Sequence, residues 1–119
     1  MLLATVPVIR VSDASAAEAY FGDQLGFTKQ WGYAPGNEPN PCYMGFQRDG
    51  KWIFVSSFPG DGVFGSVTSF IVENVDELFE EFKSRGVAIK LEPYDQTWGN
   101  REMHLEDPDG NKLNFIQEN

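Results

Sequence analysis

The sequence predicts an α+β domain made of two βαβββ modules, residues 1–59 and 60–119. Two β-like runs, VPVIRV and SVTSFIV, are each followed by a helical pattern. Glycines then recur at one spacing, since Gly26 and Gly50 are 24 residues apart, as are Gly86 and Gly110. Because neither half is long enough to bury a sizeable core alone, the two halves are expected to share one sheet system.

A helix is predicted after the first strand of each module. Ser15 and Glu18 have the spacing of a capping box, and Asn74 and Glu77 form a similar N-cap arrangement. Each helix has one apolar face, formed by Ala17, Tyr20, Phe21 and Leu25 in the first and by Val75, Leu78, Phe79 and Phe82 in the second. A glycine follows each last turn, as is typical of helix C-termini.

The first hairpin is predicted at Asp49–Gly50, a dipeptide that favours a two-residue type I′ turn. That turn pairs Phe46 with Ile53 and Met44 with Val55, so these four side chains share a face that packs in the core. The opposite face carries Tyr43, Gln47, Trp52, Phe54 and Ser56.

The second hairpin requires a longer turn. Pro108 suits position i+1 of a type I turn and Gly110 a left-handed bulge, which together give a three-residue loop. This register pairs apolar residues for the core, Met103 with Phe115 and Leu105 with Leu113. It places His104 opposite Asn114 on the other face, together with Glu102. A two-residue turn would mix core and polar residues on both faces.

The second face of each hairpin therefore mixes aromatic and polar side chains, which is typical of the lining of a ligand cavity. A sheet face open to solvent and a subunit interface are the alternatives that the pattern leaves open. Trp31 and Tyr33 are placed at the mouth of such a cavity, beside the loop APGNEPNPCY, which is either a lid or a plain connection.

Composition limits the possible partners. The chain has 119 residues and a net charge of −9, which argues against nucleic acid and favours cationic or neutral ligands. Cys42 is the only cysteine, so neither an intrachain disulfide nor a multi-cysteine zinc site can form. No apolar run approaches the length of a membrane span and no secretory signal pattern is present, so a cytoplasmic protein without membrane contact is expected.

Two stretches, YFGDQLGF (Tyr20–Phe27) and WGNREMHLEDPDGNKLNFIQ (Trp98–Gln117), together with the paired halves, resemble the vicinal oxygen chelate superfamily of glyoxalases, bleomycin resistance proteins and dioxygenases. Within it the chain looks most like the bleomycin resistance branch, although it has YF where that branch has FY. The resemblance covers essentially the whole chain. It implies mixed sheets around a cup-shaped cavity, helices on the convex side, and a homodimer whose cavities are often formed between subunits.

The resemblance also bears on metal chemistry. Metal-using members of the superfamily place His or Glu at inward positions that fall here on Val6, Phe54, Val67 and Asn114. Two valines, a phenylalanine and an asparagine cannot hold a divalent metal. No metal and no other cofactor is therefore expected.

Individual candidates have competing interpretations. Trp98 matches the tryptophan of the family's WG element, which implies a stacking wall for a planar ligand rather than loop packing. His104 is either a general acid or base or, as we expect, a hydrogen-bonding group in the cavity, since no nucleophile is suitably spaced from it. Glu102 either meets a cationic ligand or forms a surface ion pair with Arg101 or Lys112. The full set of candidate ligand-binding residues is Trp31, Tyr33, Tyr43, Trp52, Phe54, Ser56, Ser69, Trp98, Glu102, His104 and Asn114.

We therefore predict a non-catalytic, bleomycin resistance protein-like chain that sequesters a planar, cationic aromatic antibiotic in a dimer cavity. The alternative is an enzyme of the superfamily, a lyase, isomerase or dioxygenase that acts on a small metabolite. A binding domain for some other hydrophobic metabolite is a third hypothesis, because the shape of the cavity decides which ligand enters.

Overall fold

Each half of the chain forms its own four-stranded mixed sheet in the computed structural model, which describes residues 1–119. The first sheet has the order β1-β4-β3-β2, from β1 (Val8–Arg10), β2 (Thr28–Tyr33), β3 (Tyr43–Arg48) and β4 (Lys51–Ser56). The second has the order β5-β8-β7-β6, from β5 (Val67–Ile71), β6 (Leu91–Asp95), β7 (Arg101–Glu106) and β8 (Lys112–Gln117). In both sheets the first strand runs parallel to the last.

The expectation of one shared sheet system is wrong, because each first strand pairs with the last strand of its own module. The two modules share a core instead. Twenty buried residues from both halves form one cluster. Phe27 of module 1 contacts Phe70 of module 2, with 6.0 Å between ring centroids, and the side chain of Asn111 donates to the backbone oxygen of Arg10. Packing between modules thus supplies the core that neither half could bury alone.

The helices lie where they were predicted, although the first begins differently. Helix α1 (Ala14–Ala17) continues as a π-helical segment (Glu18–Gln24), and its N-cap is Asp13, whose carboxylate accepts from the backbone nitrogen of Ala16 at 2.9 Å. The predicted capping box of Ser15 and Glu18 is therefore wrong. Helix α2 (Val75–Ser84) is capped by Asn74 as predicted. Neither helix is long and apolar enough to cross a membrane.

Both hairpin registers are confirmed. Asp49 and Gly50 have φ angles of 53° and 75°, as a type I′ turn requires, and β3 pairs with β4 in the predicted register. In the second hairpin the backbone nitrogen of Asp107 donates to the oxygen of Asn111, which leaves a three-residue loop with Gly110 at φ 81°. One face of each sheet therefore enters the core, and the opposite face, here called the non-core face, carries most candidate residues.

Candidate functional site

Aromatic rings cover the non-core face of module 1. Trp31 stacks on Tyr43 with 5.7 Å between centroids and an interplanar angle of 4°, and it also meets Phe54 at 5.1 Å. Trp52 approaches Phe54 edge-on at 6.2 Å. Trp31 keeps 39% of its surface exposed. This aromatic group (Trp31, Tyr43, Trp52 and Phe54) therefore offers an open ring surface on which a planar molecule can stack.

The position of Trp31 depends on Gly45, its partner across the β2–β3 ladder. A Cβ atom on Gly45 would lie 2.4 Å from Cε2 of Trp31, which is closer than real contacts allow. The register of this ladder shifts between Lys29 and Trp31, and that irregularity brings the indole over the glycine. Sequence reasoning missed Gly45, because the bulge that places the two residues opposite each other has no clear sequence signal.

Two further candidates in module 1 lie outside the aromatic group. Tyr33 is exposed and stacks on Phe58 with 6.2 Å between centroids. Ser56 was predicted to line the cavity, but it is fully buried. Its hydroxyl donates to Asp61 at 2.8 Å and accepts from the backbone nitrogen of Phe58. Ser56 therefore holds the turn after β4 and offers no group to a ligand.

A polar group centred on Glu102 occupies the non-core face of module 2. The indole nitrogen of Trp98 donates to Oε2 of Glu102 at 2.9 Å, and Nε2 of His104 lies 2.8 Å from Oε1. Asn114 lies opposite His104, and Ser69 lies beside Asn114 on β5. The sequence allows two interpretations of Glu102, a contact with a cationic ligand or an ion pair with Arg101 or Lys112. Neither of those cations reaches it, since Arg101 pairs with Asp76 and Asp95 instead.

The Glu102 side chain is buried although it carries a charge, with only 7% of its surface exposed. Burial alone would raise its pKa. The hydrogen bonds from His104 and Trp98, together with the charge on His104 when protonated, outweigh burial and hold the pKa of Glu102 below its ordinary value. The carboxylate therefore stays ionised, and its two oxygens keep Trp98 and His104 in place. Trp98 itself remains 64% exposed.

The aromatic group and the polar group do not meet within one chain, since no hydrogen bond or ring contact joins them. Two clefts in the chain also lie away from these groups. One of about 350 Å³ opens beside α2, between the modules, and is lined by residues such as Phe27, Phe70 and Phe82. Another of about 300 Å³ lies beside β2, and Tyr33 is the one candidate residue in its lining. A single chain thus presents the candidates on two open faces.

The resemblance assigns the superfamily's metal ligands to Val6, Phe54, Val67 and Asn114, and the parallel strand pairs show which residues lie next to them. Val8 lies directly beside Phe54, and Ser69 lies directly beside Asn114, whereas Val6 and Val67 are each two residues earlier. No three His, Cys, Asp or Glu side chains come together as a metal site. The residues at these positions do not fit the metal that the superfamily implies, because valine and phenylalanine offer no ligand atom.

Comparison with known proteins agrees with this architecture. Residues 4–115 match the Glyoxalase/Bleomycin resistance protein/Dioxygenase superfamily. A bleomycin resistance protein of Geobacillus stearothermophilus is 29% identical over 135 aligned positions, which cover 98% of both chains. A bleomycin resistance protein of Staphylococcus aureus is equally similar.

Solved structures resemble the fold over nearly the whole chain. A bleomycin-binding protein complexed with bleomycin has a TM-score of 0.77 at 23% identity, with 99% of this chain and 100% of that chain covered. A superfamily member from Sphaerobacter thermophilus DSM 20745 has a TM-score of 0.75 at 28% identity, with 99% and 98% covered. These likenesses and the paired mixed sheets identify the vicinal oxygen chelate fold. The chain therefore belongs to the Glyoxalase/Bleomycin resistance protein/Dioxygenase superfamily.

Proposed function

We propose that this chain is a non-catalytic binding protein that sequesters planar, cationic aromatic antibiotics of the bleomycin type in cavities closed by a second copy of the chain. Two curated relatives at 29% identity are named bleomycin resistance proteins, and a protein of the same fold has been solved with bleomycin bound. The relatives align over 98% of this chain. The chain and its relatives therefore match over nearly their full lengths, which supports a shared binding role.

One observation carries the proposal: the non-core faces keep open aromatic surfaces although the metal positions hold no metal ligands. Trp31 and Trp98 both leave more than a third of their surface exposed. The positions to which the superfamily resemblance assigns metal ligands hold Val6, Phe54, Val67 and Asn114, none of which is a histidine or a carboxylate. Stacking contributes about 0.5–1.5 kcal/mol for each aromatic pair beyond area burial. The net charge of −9 also favours the approach of a cation.

A second copy is part of the proposal because one chain leaves its two site faces open. The edge strands β1 and β5 also expose apolar side chains, with Val67 at 57% and Ile71 at 61%. Apolar side chains on open strand edges are commonly covered by a partner. A symmetric dimer would cover these edges and bring the aromatic group of one copy towards the polar group of the other.

The binding role is tested by titrating metal-free bleomycin into the protein while tryptophan fluorescence is recorded, with and without EDTA. We expect saturable quenching whose stoichiometry EDTA does not change. Trp98→Ala should weaken binding about tenfold, since it removes one exposed stacking surface. Lys83→Ala, on the exposed side of α2, is the matched control and should bind as the wild type does. An absence of bleomycin binding by the folded wild-type protein would refute the proposal.

The dimer is tested separately by sedimentation. We expect the mass of a dimer for the wild type, and a monomer that has lost bleomycin binding for Ile71→Glu. A wild-type monomer that still binds bleomycin would show that a single chain suffices.

A further inference from the structure

His104 lies on β7 between two core residues, so its ring is on the non-core face. Met103 and Leu105 are buried, whereas the side chain of His104 keeps 30% of its surface exposed. Its Nε2 lies 2.8 Å from Oε1 of Glu102, and its other ring nitrogen, Nδ1, has no hydrogen-bond partner in the protein. This histidine is the only one in the chain.

The protonation of Glu102 decides which nitrogen of His104 carries the proton. A carboxylate has only acceptor atoms, and one oxygen already accepts from the indole of Trp98. The pKa of Glu102 lies below its ordinary value, so the group is ionised at neutral pH. A contact of 2.8 Å with the remaining oxygen therefore requires a proton on Nε2. A neutral imidazole with its proton on Nε2 has a bare Nδ1, which can only accept.

We propose that Glu102 fixes His104 in its Nε2–H tautomer, and that the unpaired Nδ1 makes this wall selective for ligands that present an N–H or O–H donor. This inference rests on the proposed function in placing the ligand against module 2. The hydroxyl of Ser69 and the amide of Asn114, the other polar groups beside the ring, can both donate and accept. His104 is therefore the group that distinguishes a donor from an acceptor.

The tautomer is measured on free protein labelled with ¹⁵N-histidine, by long-range ¹H–¹⁵N correlation at pH 8.5. The chain gives one imidazole spectrum, so no assignment is needed. We expect a protonated Nε2 and a bare Nδ1. A proton on Nδ1, or protons on both nitrogens at this pH, would overturn the proposal.

Glu102→Gln provides the decisive variant. The glutamine oxygen can still accept from Trp98, but its amide nitrogen would then donate to Nε2 and move the imidazole proton to Nδ1. Glu106→Gln is the matched control on the same strand, since Glu106 is exposed and pairs with Lys90. We expect the tautomer to reverse in the first variant only. If a folded Glu102→Gln protein keeps the wild-type tautomer, Glu102 does not set it.

Donor selection is tested with two probes of nearly equal shape, indole, which has an N–H group, and benzofuran, which has an oxygen there. We expect millimolar indole to shift the Nδ1 resonance at concentrations where benzofuran leaves it unchanged. Equal shifts, or no shift up to the solubility of indole, would refute the selectivity. These probes separate the two proposals. If bleomycin fails to bind while indole shifts Nδ1, only the proposed function fails. If bleomycin binds to a protein that carries the proton on Nδ1, only this inference fails.

Discussion

Replacing Gly45 with alanine tests how the aromatic group is built. The added Cβ would lie 2.4 Å from Cε2 and 2.6 Å from Nε1 of Trp31. Because Gly45 lies in the middle of β3 and Trp31 is at the exposed side of the sheet, the indole must move outwards. It would then lose its contacts with Tyr43 and Phe54.

The magnitude follows from two opposing effects. The two lost ring contacts cost about 0.5–1.5 kcal/mol each, or about 1–3 kcal/mol together. Alanine in a strand is favoured over glycine by about 0.5–1 kcal/mol, because glycine loses more backbone entropy on folding. Gly45→Ala should therefore lower the free energy of unfolding by about 1 kcal/mol, within a range of about 0–2.5 kcal/mol. In a Trp31→Ala background the clash is gone, so the same substitution should raise it by about 0.5–1 kcal/mol.

The assay is urea denaturation of the four proteins of this double-mutant cycle at one protein concentration, followed by far-UV circular dichroism. Gly32→Ala on neighbouring β2 is the control, since its Cβ would meet only the flexible end of Lys29 at 2.9 Å. It should change the free energy of unfolding by about 0 to +1 kcal/mol, equally with and without Trp31. A change of sign between the two backgrounds is the expected result. If Gly45→Ala destabilises both backgrounds equally, Trp31 does not occupy the space above the glycine and the reasoning is wrong.

Three further results are expected. Asn111→Ala should lower the free energy of unfolding in urea by about 3 kcal/mol or more, because the buried side-chain amide of Asn111 forms hydrogen bonds with Gly65, Ser66, Arg10 and Asp107. Asn114→Ala breaks no hydrogen bond within the protein and should lower it by less than about 0.5 kcal/mol. The pKa of Glu102 in the folded protein is below its ordinary 4.5. The stability that ionised Glu102 contributes is therefore complete above pH 4.5 and is lost as the pH falls through the folded pKa. In Glu102→Gln the free energy of unfolding should decrease less steeply as the pH is lowered through this range. Arg48→Met should cost about 1–2 kcal/mol and leave stability less dependent on salt, because the half-buried guanidinium makes two hydrogen bonds to Glu81, whereas Lys83→Met, in an exposed pair, should change little.

Elements joined by a short turn were predictable from sequence, and elements joined by a long connection were not. In both hairpins the turn residues and the core constrain the same register, because a slip of one residue would expose Met103 or Phe46. The parallel pairing of β1 with β4 has no turn to fix it. A shift of two residues there keeps every side chain on its face, so Val6 and Val8 are indistinguishable in the sequence pattern.

The start of the first helix shows the same limit on a smaller scale. Both Asp13 and Ser15 are residue types that favour the N-cap, so local chemistry allows more than one start. A distant residue favours one of them: Asn40 donates to Asp13 and accepts from the backbone nitrogen of Ala14. The candidate site was likewise predictable only in part. Alternation along β7 places Glu102 and His104 on one face, but the contact with Trp98 comes from a loop whose path the pattern does not contain.

The two modules repeat one topology but carry different chemistry on their non-core faces, and this difference has a consequence for binding. Module 1 offers aromatic rings with few polar atoms. Module 2 offers the buried carboxylate of Glu102, which contacts Trp98 and His104, and two neutral polar groups, Ser69 and Asn114, on the strands beside His104. If the proposed dimer brings unlike faces together, each cavity has one stacking wall and one hydrogen-bonding wall. A planar ligand with polar groups along one edge would then bind in a single orientation, because reversing it would bury those groups against the rings of Trp31 and Phe54 without partners.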